Sequence, residues 1–164
     1  MTRLAVDQCG GKNVAAFLDM IAHAEGVARF SEDDGYDVVV GGSLFKSYAD
    51  HPRITVTLAN LGIRSSAAGR YQFLIPTWDG LRALLGKSEL PDFSPVSQDR
   101  ACIELLRQNG AYSYVRDGRL YEAINAARRT WASLPGAGYG QRELTAESLR
   151  VVYVNAGGVM RTAA

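Results

Sequence analysis

The feature that most constrains this chain is a helical row that ends in an acid. Val14, Phe17, Leu18, Ile21 and Ala22 recur at helical spacing, and Glu25 is the next member of that row. Gly26 follows at once and can take the left-handed conformation that ends a helix, which places the carboxyl at the last turn rather than deep in a core. Burial and the negative end of the helix dipole both disfavour ionisation there. The glutamate is therefore expected to keep its proton toward neutral pH, as a general acid requires. A solvated glutamate at a frayed helix end fits the same position, and the rest of the chain has to separate the two readings.

Along the chain the pattern changes. Asn13 is placed to cap the opening helix, which is expected to run to about Ala24, and the charged stretch from Arg29 to Asp34 reads as a loop. Tyr36–Val40, the turn dipeptide Gly41–Gly42 and Ser43–Tyr48 predict an antiparallel hairpin, and Ile54–Leu58 a third strand. Asp50-His51-Pro52-Arg53 reads as the turn between them. From Pro76 the periodicity is helical again, with Trp78, Leu81, Leu84 and Leu85 on one face and Gly86 as a stop. Ser94-Pro95 opens another helix, with Ala101, Cys102, Leu105 and Leu106 inward. A short segment around Tyr112–Val115 leads to a turn at Asp117-Gly118. Leu120, Ile124, Ala127 and Trp131 mark a further helix with Arg128 and Arg129 toward solvent, and Thr145 caps a last one carrying Leu149, Val152, Tyr153 and Ala156 inward. Leu134–Gln141 holds Tyr139 among glycines and cannot be helical. The expected architecture is a single α+β domain over residues 13–164, mostly helical, with a small antiparallel sheet inserted after the first helix. The first dozen residues, with Gly10-Gly11, read as a flexible arm.

Charge and cysteine usage narrow the function. Eighteen basic and seventeen acidic residues leave a net charge of +1, which gives no general attraction for nucleic acid or anionic lipid. Cys9 and Cys102 lie far apart without metal spacing and the chain has two histidines, so neither a zinc site nor a cofactor is expected. The two cysteines read as reduced thiols, with one long-range disulfide as the alternative. No segment has the length of a signal peptide's apolar core or of a membrane span, so a protein that accumulates in the cytoplasm without a membrane anchor is expected.

More specific wording comes from Ala16-Phe17-Leu18-Asp19-Met20, Ala24-Glu25-Gly26, Gly35-Tyr36-Asp37-Val38 and Asp50-His51-Pro52-Arg53. It continues in Ala68-Gly69-Arg70-Tyr71-Gln72, Asp92-Phe93-Ser94-Pro95, Ser97-Gln98-Asp99 and Trp131–Gln141. From about Asn13 to Gly158 the chain resembles the lambda endolysin family of lytic murein transglycosylases. The resemblance implies a lysozyme-like fold with an active-site cleft between sheet and helices. It also implies cleavage of the β-1,4 bond between N-acetylmuramic acid and N-acetylglucosamine in peptidoglycan, with closure of a 1,6-anhydro ring. Glu25 matches the family's catalytic acid, which protonates the glycosidic oxygen and then accepts the proton of the sugar's C6 hydroxyl.

The remaining site residues are weighed against that background. Asp37 has the spacing of a second carboxylate for a hydrolytic muramidase, but the family chemistry needs none, which leaves it lining the cleft or satisfying backbone groups. Tyr71 and Gln72 fall where the resemblance places the cleft floor, suited to stacking on a sugar and bonding an acetamido group. For Gln72 a buried amide bridging sheet and helix is the alternative. Arg70 is expected in a structural ion pair. Tyr139 and Gln141 lie in a loop that resembles the family's mobile lower lip, and Ile54–Ile63 corresponds to the upper lip. His23 stands where the family has a tryptophan, and Thr57–Gly62 is more apolar than its counterpart. These departures bear on lip contacts rather than on chemistry. The implied partners are peptidoglycan glycan strands and, functionally, a phage holin that releases a monomeric enzyme from the host cytoplasm to the periplasm and cell wall. The alternative in another class is a glycan-binding protein without turnover.

Overall fold

In the computed structural model, residues 2–59, 61–140 and 143–161 are described. Their helices are α1 (Val6–Cys9), α2 (Lys12–Glu25), α3 (Ile75–Leu85), α4 (Pro95–Gln108), α5 (Ala111–Arg116), α6 (Leu120–Ala127) and α7 (Ala146–Asn155), with strands β1 (Val56–Leu58) and β2 (Ile63–Ser65) between α2 and α3. The architecture is α+β and mostly helical, with one small antiparallel sheet. The chain falls into two compact units: residues 1–3 with 26–101, and residues 4–25 with 102–164.

The second unit is built on α2. Val14, Ala16, Phe17, Leu18, Met20, Ile21 and Ala22 are all buried, so the apolar row expected along this helix widens to include Ala16 and Met20. α1, α5 and α7 pack on it. Each large apolar side chain removed from water here contributes roughly 1.5–3 kcal/mol, which outweighs the modest helix propensity of the sequence. Asn13 is not the cap. It sits inside the helix, where its Oδ1 accepts from Val159 N at 2.9 Å and its Nδ2 donates to the Arg116 carbonyl at 3.1 Å. Gly11 stands at the position before the helix instead, and its carbonyl accepts from the amides of Val14 and Ala15 at 3.1 Å. The stretch expected as an arm carries α1, with Leu4 and Cys9 buried. Thr145 caps α7 as expected, its side chain accepting from Ser148 N at 3.1 Å. The segment around Tyr112–Val115 is helical, as α5.

The first unit is aromatic at its centre. Phe73, Trp78 and Phe93 pack edge to face, Trp78 and Phe93 with ring centroids 4.6 Å apart, and Phe45 joins them. The expected hairpin is shorter than the sequence suggests. Gly41 and Gly42 turn the chain with φ of 91° and 94°, and Val38 bridges Leu44, but no regular strand pair forms. After one bridge the return segment leaves to bury Phe45 against Phe93, and Tyr48 O accepts from Phe93 N at 2.7 Å. Val38–Val40 gains its other partners from residues 67–69. The third predicted strand exists as β1, but it pairs with β2 in the register Val56 to Ser65 rather than with the hairpin. The turn before it explains why. His51 is buried with Nε2 2.8 Å from the Phe73 carbonyl, and Asp50 takes both Trp78 Nε1 and Arg82, so the chain is pinned to α3 before the strand begins.

Helix α3 buries Trp78 and Leu81, whereas Leu84 is 62 % exposed. Leu84 lies about 120° around the helix from the Trp78–Leu85 direction, off the inward face to which its hydrophobicity had assigned it. In the second unit Trp131 is buried beyond the end of α6 rather than within it.

Candidate active site

Glu25 is the last residue of α2, and Gly26 ends the helix with φ of 68°. The apolar row predicted from spacing is thus present, with the acid as its last member at the final turn. A hydroxyl waits for it: Ser133 Oγ donates to Glu25 Oε1 at 2.6 Å. Burial raises the Glu25 pKa from 4.5 to about 7, and the Ser133 hydrogen bond pulls the other way. The residue stays half-buried, so one edge remains open while most of its solvating water is displaced. A carboxyl in this state is about half protonated at neutral pH, which suits a group that both gives and takes a proton.

Ser133 is placed by its neighbours. Trp131 and Leu134 are buried on either side of it, and its carbonyl accepts from Leu144 N at 3.0 Å. Nothing in the sequence periodicity singles it out. Its only signal is membership of the Trp131–Gln141 wording.

The other expected residues fall in different settings. Asp37 lies in the first unit on an open depression of about 700 Å³ that Arg29, Phe30 and Glu32 also line. It accepts a hydrogen bond from Ser31, and its own carbonyl accepts from Phe45 N at 2.9 Å. Tyr71 is interior, 1 % exposed, and its hydroxyl donates to Asp99 Oδ1 at 2.5 Å. A ring so enclosed offers no face to a sugar, and the stacking role expected of it does not fit this placement. Gln72 is half-buried with a left-handed backbone, φ 53°, and its amide donates to the Gly69 carbonyl at 2.8 Å. Arg70 is buried and pairs with Asp34, as expected of a structural ion pair. Tyr139 is 56 % exposed, its hydroxyl donating to the Arg129 carbonyl at 2.9 Å. Gln141 lies outside the described residues, and His23 is exposed on α2.

A polar scaffold in the first unit was not anticipated. Gln98 is fully buried; its carbonyl accepts from Arg70 N at 2.9 Å, while its amide donates to the carbonyls of Tyr36 and Phe93 at 2.9 and 2.8 Å. Asp99 takes the hydroxyls of both Tyr36 and Tyr71 on one oxygen. Burial foremost, together with the Asp99 charge, pushes the Tyr36 hydroxyl far above its ordinary pKa, so it serves as a permanent donor. Among the described residues, no group of His, Cys, Asp and Glu could hold a metal ion.

A family model described as Endolysin matches residues 15–160. The chain belongs to the endolysin family. It is 47 % identical over 159 residues to the endolysin of Escherichia phage P2, covering 90 % of this chain and 94 % of that one. To the endolysin of Escherichia phage lambda it is 47 % identical over 149 residues, covering 89 % and 92 %. Among solved structures, bacteriophage lambda lysozyme complexed with a chitohexasaccharide superposes with a TM-score of 0.86 at 43 % identity, covering 98 % of this chain and all of that one. A second structure of the lambda lysozyme gives a TM-score of 0.83 at 41 % identity over the same shares. The lysozyme-like α+β fold expected from the wording is therefore the fold of this endolysin-family member. None of its described helices is long and apolar enough to cross a membrane.

Proposed function

We propose that the chain is a phage endolysin that cleaves the MurNAc-β-1,4-GlcNAc bond of peptidoglycan as a lytic transglycosylase, with Glu25 as its catalytic acid and base. The observation that carries this is the state of Glu25: a carboxyl on the apolar face of α2, raised to about pKa 7 by burial and oriented by Ser133. Protonated Glu25 gives its proton to the glycosidic oxygen as the C1–O bond breaks. Positive charge then develops on the muramyl ring, and the new carboxylate lies next to it. The C6 hydroxyl of that sugar attacks C1, its proton passes to Glu25, and the 1,6-anhydro ring closes with the enzyme returned to its starting form. No water enters and no second carboxylate is needed. Binding of a chitohexasaccharide by the related lambda lysozyme supports N-acetylated glycan as the substrate class.

In this reading residues 13–164 act as one catalytic domain and the enzyme works as a monomer. Tyr139, Gln141, Gln72 and Asp37 are its candidate glycan contacts, and Asp37 does not react. The protein waits in the host cytoplasm and reaches the periplasm and wall through a holin lesion, without direct contact between the two. Digestion of purified murein sacculi tests the chemistry: anhydromuramyl ends in the product spectrum support it, and reducing muramic ends would convert the assignment to a hydrolytic muramidase. Glu25→Gln tests the residue, since a variant that still solubilises murein at the parent rate removes Glu25 from the reaction. A parent that binds glycan and releases no fragments would mark a binding protein instead.

A further inference from the structure

The loop that follows Ser133 is closed on itself by a carboxylate. Glu143, exposed at the loop's end, accepts the amide of Gly138 on Oε1 and the amide of Gly136 on Oε2, both at 2.8 Å. Those amides converge because Gly136 and Gly138 take φ of 75° and 78°, a backbone form that turns successive N–H groups toward one anion. The next residue, Leu144, donates its amide to Ser133 O at 3.0 Å, and Ala137 N reaches Leu134 O at 3.2 Å. Ser133 is thus tied at its carbonyl to one end of a loop whose middle is gathered by Glu143, while its hydroxyl is on Glu25.

We propose that Glu143 is a positioning residue: by gathering the amides of Gly136 and Gly138 it fixes the loop that keeps the Ser133 hydroxyl on Glu25. The inference rests on the reading of Glu25 as the reacting acid. A glycine-rich loop has much conformational entropy to lose, and an anion at its end that holds its middle amides removes the alternatives that would let its base wander. The amides of Gly138 and Gly136 also hold the Glu143 pKa below the usual carboxylate value, so the anchor is charged at neutral pH. Displacement of an orienting group by a fraction of an ångström is costly to turnover and nearly neutral to ground-state binding.

The test is a double-mutant cycle on the intact protein, with kcat and KM measured on soluble murein glycan strands and amide exchange followed at Gly136 and Gly138. Glu143→Ala is expected to speed exchange at both amides and to lower kcat about five- to tenfold, with KM within about twofold of the parent. Combined with Ser133→Ala it is expected to be no slower than Ser133→Ala alone, because both changes remove one chain of contacts. Losses that multiply, a Glu143→Ala enzyme with parent kcat, or a Ser133→Ala enzyme with parent kcat each overturns the proposal. Thermal unfolding of each variant shows whether a loss reflects the fold. The outcome is separable from the catalytic assignment: an active Glu25→Gln enzyme removes the latter, whereas an inactive one with a multiplicative cycle removes only the role of Glu143.

Discussion

Replacing Glu25 by glutamine is expected to do two opposite things, abolishing turnover while making the protein more stable in alkaline solution. The folded pKa of about 7 lies above the unfolded value of 4.5. A group raised in this way stabilises the fold fully below its unfolded pKa, and that contribution is lost as pH climbs through 4.5 to about 7. At about 1.4 kcal/mol for each pKa unit, the loss is complete by pH 8 and amounts to about 3 kcal/mol, trimmed to about 2 because Glu25 keeps some contact with solvent. At pH 5 less than about 1 kcal/mol has gone. Glutamine does not ionise, and its carbonyl can still accept from Ser133. The stability difference between Glu25→Gln and the parent is therefore expected to grow by about 1–2 kcal/mol in favour of the variant between pH 5 and pH 8. Urea unfolding at the two pH values, followed by far-UV circular dichroism and intrinsic tryptophan fluorescence, measures it. A difference that stays flat, or one that grows in the parent's favour, would show that the carboxyl is not desolvated and would refute the account of its proton affinity.

Other consequences are as direct. Ser133→Ala removes a bond that lowers the Glu25 pKa, so the fall in rate with rising pH, expected near 7 in the parent, should move up by about one pH unit in a pH–kcat profile. Gly69→Ala would set a Cβ 2.2 Å from Gln98 Oε1 on a backbone with φ of 78°; a loss of roughly 2 kcal/mol or more in chemical denaturation is expected. Asp37→Asn is expected to leave both the anhydro product ends and the rate nearly intact, which product analysis by mass spectrometry checks. Phe17→Ala, at the fully buried centre of α2, is expected to cost about 3–5 kcal/mol by the same unfolding assay.

Local rules carried much of this fold into view. The spacing from Val14 to Glu25 and the glycine behind it were enough to place the acid, because a helix period and a left-handed stop are both short-range properties. Thr145 capped its helix for the same reason. What was hidden depends on distant partners. Asn13 resembles a cap in every local respect, yet its side chain is taken by Arg116 and Val159. The hairpin's glycines were legible, but its length is set by where Phe45 finds Phe93. Tyr71 reads as a binding residue next to Gln72 until Asp99 claims its hydroxyl from within. Ser133 is the clearest case. No pattern marks an ordinary serine as the partner of a carboxyl so far away in the chain, and only the family wording around it offered a hint.

That separation bears on how the enzyme comes into being. The hydrogen bond between Ser133 and Glu25 spans 108 positions, and the tie from Asn13 at the start of the acid's helix to Val159 spans 146. A ribosome makes the acid well before its tuning partner. A growing chain that has displayed Glu25 but not yet Ser133 has a carboxylate without its orienting hydroxyl, and α2 without α7 has bare apolar faces. In the reading of Glu25 as the reacting acid, the orienting contact therefore forms only once the chain has grown 108 positions beyond the acid, and an unfinished chain released short of Ser133 is expected to carry the acid without its orienting hydroxyl.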